Sequence, residues 1–148
     1  MRLSVLSMYV FVGIAALGVD GCSTGPATES VEGLVTLDGA PLDNVRVTFQ
    51  PQASGAEAGI GSTGLTDDKG RFVLKRVDND RQGAVVGKHT VTFSDKLAEA
   101  GAEDSADAGP ALNAPQSRIP THYGENPLTF EVKAGQKNEA NFDLKSTR

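Results

Sequence analysis

Four aspartates and two histidines are the side chains of this sequence whose type and spacing best suit chemistry. Asp67, Asp68, Asp78 and Asp80 fall in two short runs, Asp67-Asp68-Lys69-Gly70 and Asp78-Asn79-Asp80. If the two loops converged at one end of a domain, these carboxylates could supply the oxygen ligands that Ca²⁺ takes. Neither run has the D-x-[DN]-x-[DN]-G spacing of a calcium loop, and Asp caps turns equally well. Both readings stand at this level. His122-Tyr123-Gly124-Glu125 spaces an imidazole and a carboxylate as H-x-x-E, a zinc-ligand pair. A catalytic zinc needs a third protein ligand, and His89 is the one other imidazole. His122 therefore reads as a polar residue beside a strand. His89 sits on the apolar side of an alternating run and reads as a core histidine. The serines lie in loops or near the start of the chain without a G-x-S-x-G elbow, and no Gly-rich phosphate loop leads into a Lys and a helix. The first Lys is Lys69, so a Lys-to-Asn crosslink from the opening strands is excluded. No catalytic residue and no cofactor is expected, and the chain reads as a non-enzyme.

Cys22 carries a different chemistry. Leu3 to Val19 has no charged side chain, Arg2 precedes it and Asp20 ends it. A membrane-spanning helix needs about 20 apolar residues, slightly more than this run offers. A basic start, an apolar core and small residues at the end describe a secretory signal peptide. Val19-Asp20-Gly21-Cys22 resembles a bacterial lipobox, with Asp20 where a small uncharged residue is usual. The resemblance implies that residues 1–21 are removed and that Cys22 is lipidated, palmitate being among the acyl chains expected. Two or more chains make such anchoring stable, whereas one is marginal. Ser23 after the Cys implies the outer membrane, facing the periplasm or the cell surface. Ser23 to Ser30 has no aliphatic residue larger than Ala, so residues 22–30 read as a flexible tether.

The chain has 148 residues, a formal net charge of −5 and a pI near 5.0. That balance argues against a nucleic-acid surface, which needs a clustered basic face. A single Cys excludes an internal disulfide framework.

The elements that must position these residues are strands. Val45, Val47 and Phe49 alternate with Arg46, Thr48 and Gln50. His89, Val91 and Phe93 alternate in the same way, as do Leu128, Phe130 and Val132. Period-two alternation puts one side of each run in a core and the other in water, as in antiparallel sheets. Further strands are expected at Val31–Leu37, Arg71–Lys75 and Asn138–Leu144, with a short one at Ala84–Val86. Asp38-Gly39 predicts a tight hairpin turn, and the runs at 67–70, 78–80 and 134–136 predict others. The expected fold is all-β, a single seven-stranded antiparallel β-sandwich over 31–148. Gln52–Gly64 reads as a flexible loop. Asp95–Arg118, small and acidic, reads as a mobile insertion with room for a short helix near Lys96–Ala102.

Val31 to Leu42, Val45 to Pro51, Thr66 to Phe72, Val86 to Val91 and the later Ile119–Tyr123 and Leu128–Val132 together resemble a carboxypeptidase regulatory-like domain of small bacterial lipoproteins. The resemblance implies a transthyretin-like (prealbumin-like) sandwich. It also implies an accessory, adhesive or structural role with a protein or polysaccharide partner. The alternatives are a carrier of a small ligand or Ca²⁺ at the loop end, and an accessory subunit of an enzyme encoded elsewhere.

Overall fold

Alternating segments become strands wherever one side finds a core. The computed structural model of the chain describes residues 26–53, 60–103 and 116–147. In chain order the strands begin with β1 (Thr28–Glu29), β2 (Val31–Leu37), β3 (Ala40–Pro41), β4 (Val45–Pro51) and β5 (Ser62–Leu65). They continue with β6 (Arg71–Val73), β7 (Lys75–Arg76), β8 (Ala84–Val85) and β9 (Gly87–Asp95). Helices α1 (Lys96–Glu103) and α2 (His122–Glu125) precede β10 (Leu128–Val132), β11 (Asn138–Glu139) and β12 (Phe142–Leu144). Among the described residues no helix is long and apolar enough to cross a membrane.

The fold is all-β, in two main sheets and a small ribbon. One sheet runs β10-β9-β4-β5-β7 and is antiparallel throughout. Its register pairs Val47 with Phe93, Phe49 with Val91 and Phe130 with His89, so the apolar positions line up on one face. In the other sheet β2 pairs with β3 and β6 on one side and with β11 and β12 on the other. The ribbon is β1 with β8. Residues 71–76 belong to both main sheets, because β6 pairs with β2 and β7 with β5. Leu74 between them is fully buried, its N–H on the Val31 carbonyl.

Val31, Val35, Val45, Val47, Phe49, Leu74, Val91 and Leu144 are fully buried. Phe142 sits among the other core phenylalanines. Its ring centroid lies 5.3 Å from Phe93, 6.3 Å from Phe49 and from Phe130, and 6.4 Å from Phe72. Those separations are the ones aromatic pairs prefer.

Four expectations change. The sheets are not wholly antiparallel, since β11 and β12 run parallel to β2; alternation is the same for either direction, so pattern does not carry it. Asp38 and Gly39 both have positive φ, 51° and 85°, as the expected hairpin turn requires. The strand that returns is only β3, however, after which the chain crosses to the other sheet. The stretch expected as tether already contains β1, and the expected loop 52–64 gives way to β5 at Ser62.

Backbones approach closely at the parallel ladder. A Cβ on Gly33 would stand 1.9 Å from the Ala140 carbonyl oxygen. Overpacking costs about 1–3 kcal/mol, and a backbone neighbour cannot swing aside. Gly33→Ala is expected to lower stability by about 3 kcal/mol in urea unfolding. Gly39→Ala, with φ +85° but open space around it, is expected to lose only about 1–2 kcal/mol.

Candidate functional site

The two aspartate pairs are set by the strand between them. Asp67 and Asp68 precede β6, where Thr66 bonds to Asn44 and Val45 at the start of β4. Asp78 and Asp80 follow β7, where Val77 bonds to Gly61 beside the other end of β4. The length of β4 thus separates the pairs, roughly 20 Å for seven residues. They do not converge, which corrects the arrangement a shared Ca²⁺ would need. Each run is instead engaged locally. Asp67 Oδ1 accepts the N–H groups of Lys69 and Arg71, both at 2.9 Å, and these backbone bonds hold its carboxyl below the usual range. Arg76 forks onto Asp78 at 2.9 and 2.7 Å and lowers its carboxyl likewise. Asp80 has φ +56° in the turn and Asp68 is exposed. Among the described residues no three metal-ligating side chains gather.

His122 and Glu125 share one turn of α2, whose Tyr123 anchors it: the ring packs edge-on to Phe93, and its hydroxyl accepts the Lys145 N–H at 3.0 Å. His89 is 1% exposed, between Phe49 and its cross-strand partner Phe130, with Nδ1 3.0 Å from the Gly87 carbonyl. Burial pushes its pKa below the ordinary imidazole value. Cys22 and residues 104–115 of the acidic insertion lie outside the described residues.

The strongest polar constellation is one that pattern alone did not single out. Asp95 closes β9 with its side chain 1% exposed. Arg118 sends Nε to its Oδ2 at 2.8 Å and Nη2 to its Oδ1 at 2.9 Å, and adds its own backbone N–H at 2.9 Å. The other face of the guanidinium reaches Asp43, with Nη1 on Oδ1 at 2.8 Å and Nη2 on the backbone carbonyl at 2.7 Å. Leu97 N–H completes Asp95 at 3.2 Å. A planar fork matched to a carboxylate is the strong form of ion pair. Arg118 holds the carboxyls of Asp95 and Asp43 below their ordinary values and is itself raised. The two residues that bounded the expected insertion are thus joined to each other. The 95–118 segment is fixed at both ends, and α1 forms its first part. An Asp ending an alternating strand and a lone Arg before apolar Ile119 were the available signals.

At the seam where residues 71–76 change sheets lies an open cleft of about 1100 Å³. Leu65, Val73 and Val77 are exposed along it, beside Arg71 and Lys75. Acids line it as well, Glu32, Asp67, Asp80 and Glu139 among them, so its charge is mixed. Compared with family models, curated proteins and solved structures, the chain matches none.

Two measurements check these assignments. Breaking a buried pair by removing one partner costs about 3–5 kcal/mol. Arg118 keeps a third of its side chain in solvent, so Arg118→Ala is expected to lose about 2–3 kcal/mol in urea unfolding. Arg118→Lys is expected to recover little, because an ammonium cannot fork. The second concerns pH. His89 is neutral in the fold, so the unfolded chain gains a proton first as pH falls below about 6.5. Stability should then decline between pH 7 and 5 by at most about 1.4 kcal/mol per pH unit, and His89→Leu should remove that decline. The depressed carboxylates of Asp43, Asp67, Asp78 and Asp95 contribute stability above about pH 4 that is lost on further acidification, in either protein.

Proposed function

We propose that the chain is a lipid-anchored cell-envelope protein whose β-sandwich domain binds or supports a partner without catalysing a reaction. The observation that carries this is the position of its only Cys. Cys22 ends an uncharged apolar run behind Arg2, and the first strand follows six residues later. Segments that continue one another, β6 with β7 and β11 with β12, leave seven principal strands once the short β1, β3 and β8 are set aside. That supports the transthyretin-like, carboxypeptidase regulatory-like architecture. The edge strand β10, at one end of its sheet order, offers a row of backbone groups. A protein partner could extend such an edge, or loops at the sandwich ends could meet a protein or polysaccharide. Asp67, Asp78 and Asp95 are engaged by turn amides or guanidinium groups, which suits a structural role for these acids better than a metal-binding one.

Acyl labelling tests the reading. Cys22→Ala in the full chain, expressed in a bacterium with a lipoprotein pathway, should abolish incorporation of labelled palmitate. It should also move the protein from the detergent-soluble membrane fraction to the soluble or unprocessed fraction. Unchanged labelling would overturn the anchor.

A further inference from the structure

The domain has two chemically different ends, and the chain enters it at only one of them. Ala27 to Glu29 is fixed there: the Ala27 carbonyl accepts the Val86 N–H at 2.8 Å, and β1 pairs with β8. Arg76 Nη1 reaches the Thr28 hydroxyl at 3.0 Å, and Glu29 Oε1 accepts the Gly135 N–H at 2.8 Å. Only Ser23 to Pro26 separates Cys22 from this anchorage. An extended chain spans at most about 3.6 Å per residue, so the reach from Cys22 to Ala27 is about 18 Å. Strand β9, which joins the two ends of the sandwich from Gly87 to Asp95, is longer than that, about 27 Å at a rise of 3.4 Å.

The side chains at the two ends differ in charge. At the entry end Arg81 and Lys133 are exposed and make no ion pair among the described residues, and Val77 is 63% exposed. Lys88 stands across from Glu131, and Lys137 pairs with Glu32 at 2.7 Å. The acids there, Glu29 and Asp78, are taken up by Gly135 and Arg76, which leaves Asp80 and Glu139, the latter beside the Glu32–Lys137 pair. The far end carries Asp38, Asp67, Asp68 and Glu125, all exposed, with Lys69, while Lys145 pairs with Asp143 and Glu99 on α1 is taken up by Lys96 and Arg46. Basic groups are drawn to anionic headgroups and acids repelled, within a Debye length of about 8 Å.

We propose that in the anchored protein the entry end, with Val77, Arg81 and Lys133, rests on the anionic bilayer surface, and the acidic end points away from it. This rests on acylation of Cys22. The short tether excludes a domain held at a distance, and the charge of the far end disfavours one lying flat.

Acylation occupies Cys22, so an introduced thiol is the only free one. Val77→Cys and Asp68→Cys proteins, each carrying an environment-sensitive fluorophore, would be reconstituted in vesicles of equal parts phosphatidylcholine and phosphatidylglycerol. A nitroxide lipid labelled at the headgroup serves as quencher, and circular dichroism checks that each variant is folded. Quenching at 77 should exceed that at 68 several-fold, and Arg81→Glu with Lys133→Glu should reduce the difference. Equal quenching, or stronger quenching at 68, would overturn the orientation. Intact mass of the same samples separates the two failures: a chain without acyl mass overturns the anchor and with it the orientation, whereas an acylated chain with equal quenching overturns the orientation alone.

Discussion

The pairing of the last strand with β2 is the constraint on which the rest of the domain depends. It brings Phe142 into the middle of Phe49, Phe72, Phe93 and Phe130, so the core is complete only when the C-terminal residues are in place. The close approach at Gly33 leaves no room for a side chain. At the far end of the ladder, Asp143 accepts from the Thr36 hydroxyl at 2.8 Å and the Gly39 N–H at 3.1 Å, and Asp38 donates to the Leu144 carbonyl. One residue thus ties the terminal strand to the turn that follows β2. Contacts between residues a hundred positions apart make a topology of high contact order, which folds slowly for its size.

The buried carboxylate of Asp95 is the second fixed point, and it governs what the insertion can do to the fold. A charge this buried is tolerable only when paired and hydrogen-bonded, and Arg118 supplies both requirements from the far side of the segment. Because the two ends are joined by the fork, the chain between them is closed independently of its own packing. Loop-closure entropy grows only logarithmically with length. A long small-residue segment can therefore sit at this corner without weakening the sheets. The expectation of a mobile insertion over Asp95–Arg118 did not include that its two boundary residues are joined to each other in the domain.

Most of the strands were legible because their faces differ so sharply. In β4 the alternation of Val45, Val47 and Phe49 with Arg46, Thr48 and Gln50 is matched by full burial of the first three. The inward placement of His89 was legible for the same reason, as was the turn at Asp38-Gly39, whose positive φ angles need those residue types. Strand direction was not legible, since alternation is blind to it. Nor was the crossing at Leu74, because one continuous apolar-polar run, Arg71 to Lys75, serves two sheets. Of the candidate carboxylates, sequence located the loops but not their separation. Distance between Asp67 and Asp78 is a property of the sheets, and only the ladder of β4 with β5 fixes it. The Asp95–Arg118 fork spans 23 residues, and nothing local announces such a pair.

Parallel pairing of the first long strand with the last also decides where the ends of the chain emerge. In an antiparallel pair, the start of one strand lies beside the end of the other. Here Asn138 lies beside Val31 and Leu144 beside Leu37, so the chain enters at one end of the domain and Ser146 leaves at the other, its N–H on Asp38. The turn at 38–39, α1, the Asp95–Arg118 fork and the last residues all share that second end. For a chain tethered at its N-terminus, the same ladder thus separates the tether from that end, whereas the connection from β4 to β5 starts and ends on the tether's side. The direction of a single strand pair, invisible in the hydrophobic pattern, puts the start of β2 and the end of β12 at opposite ends of the domain.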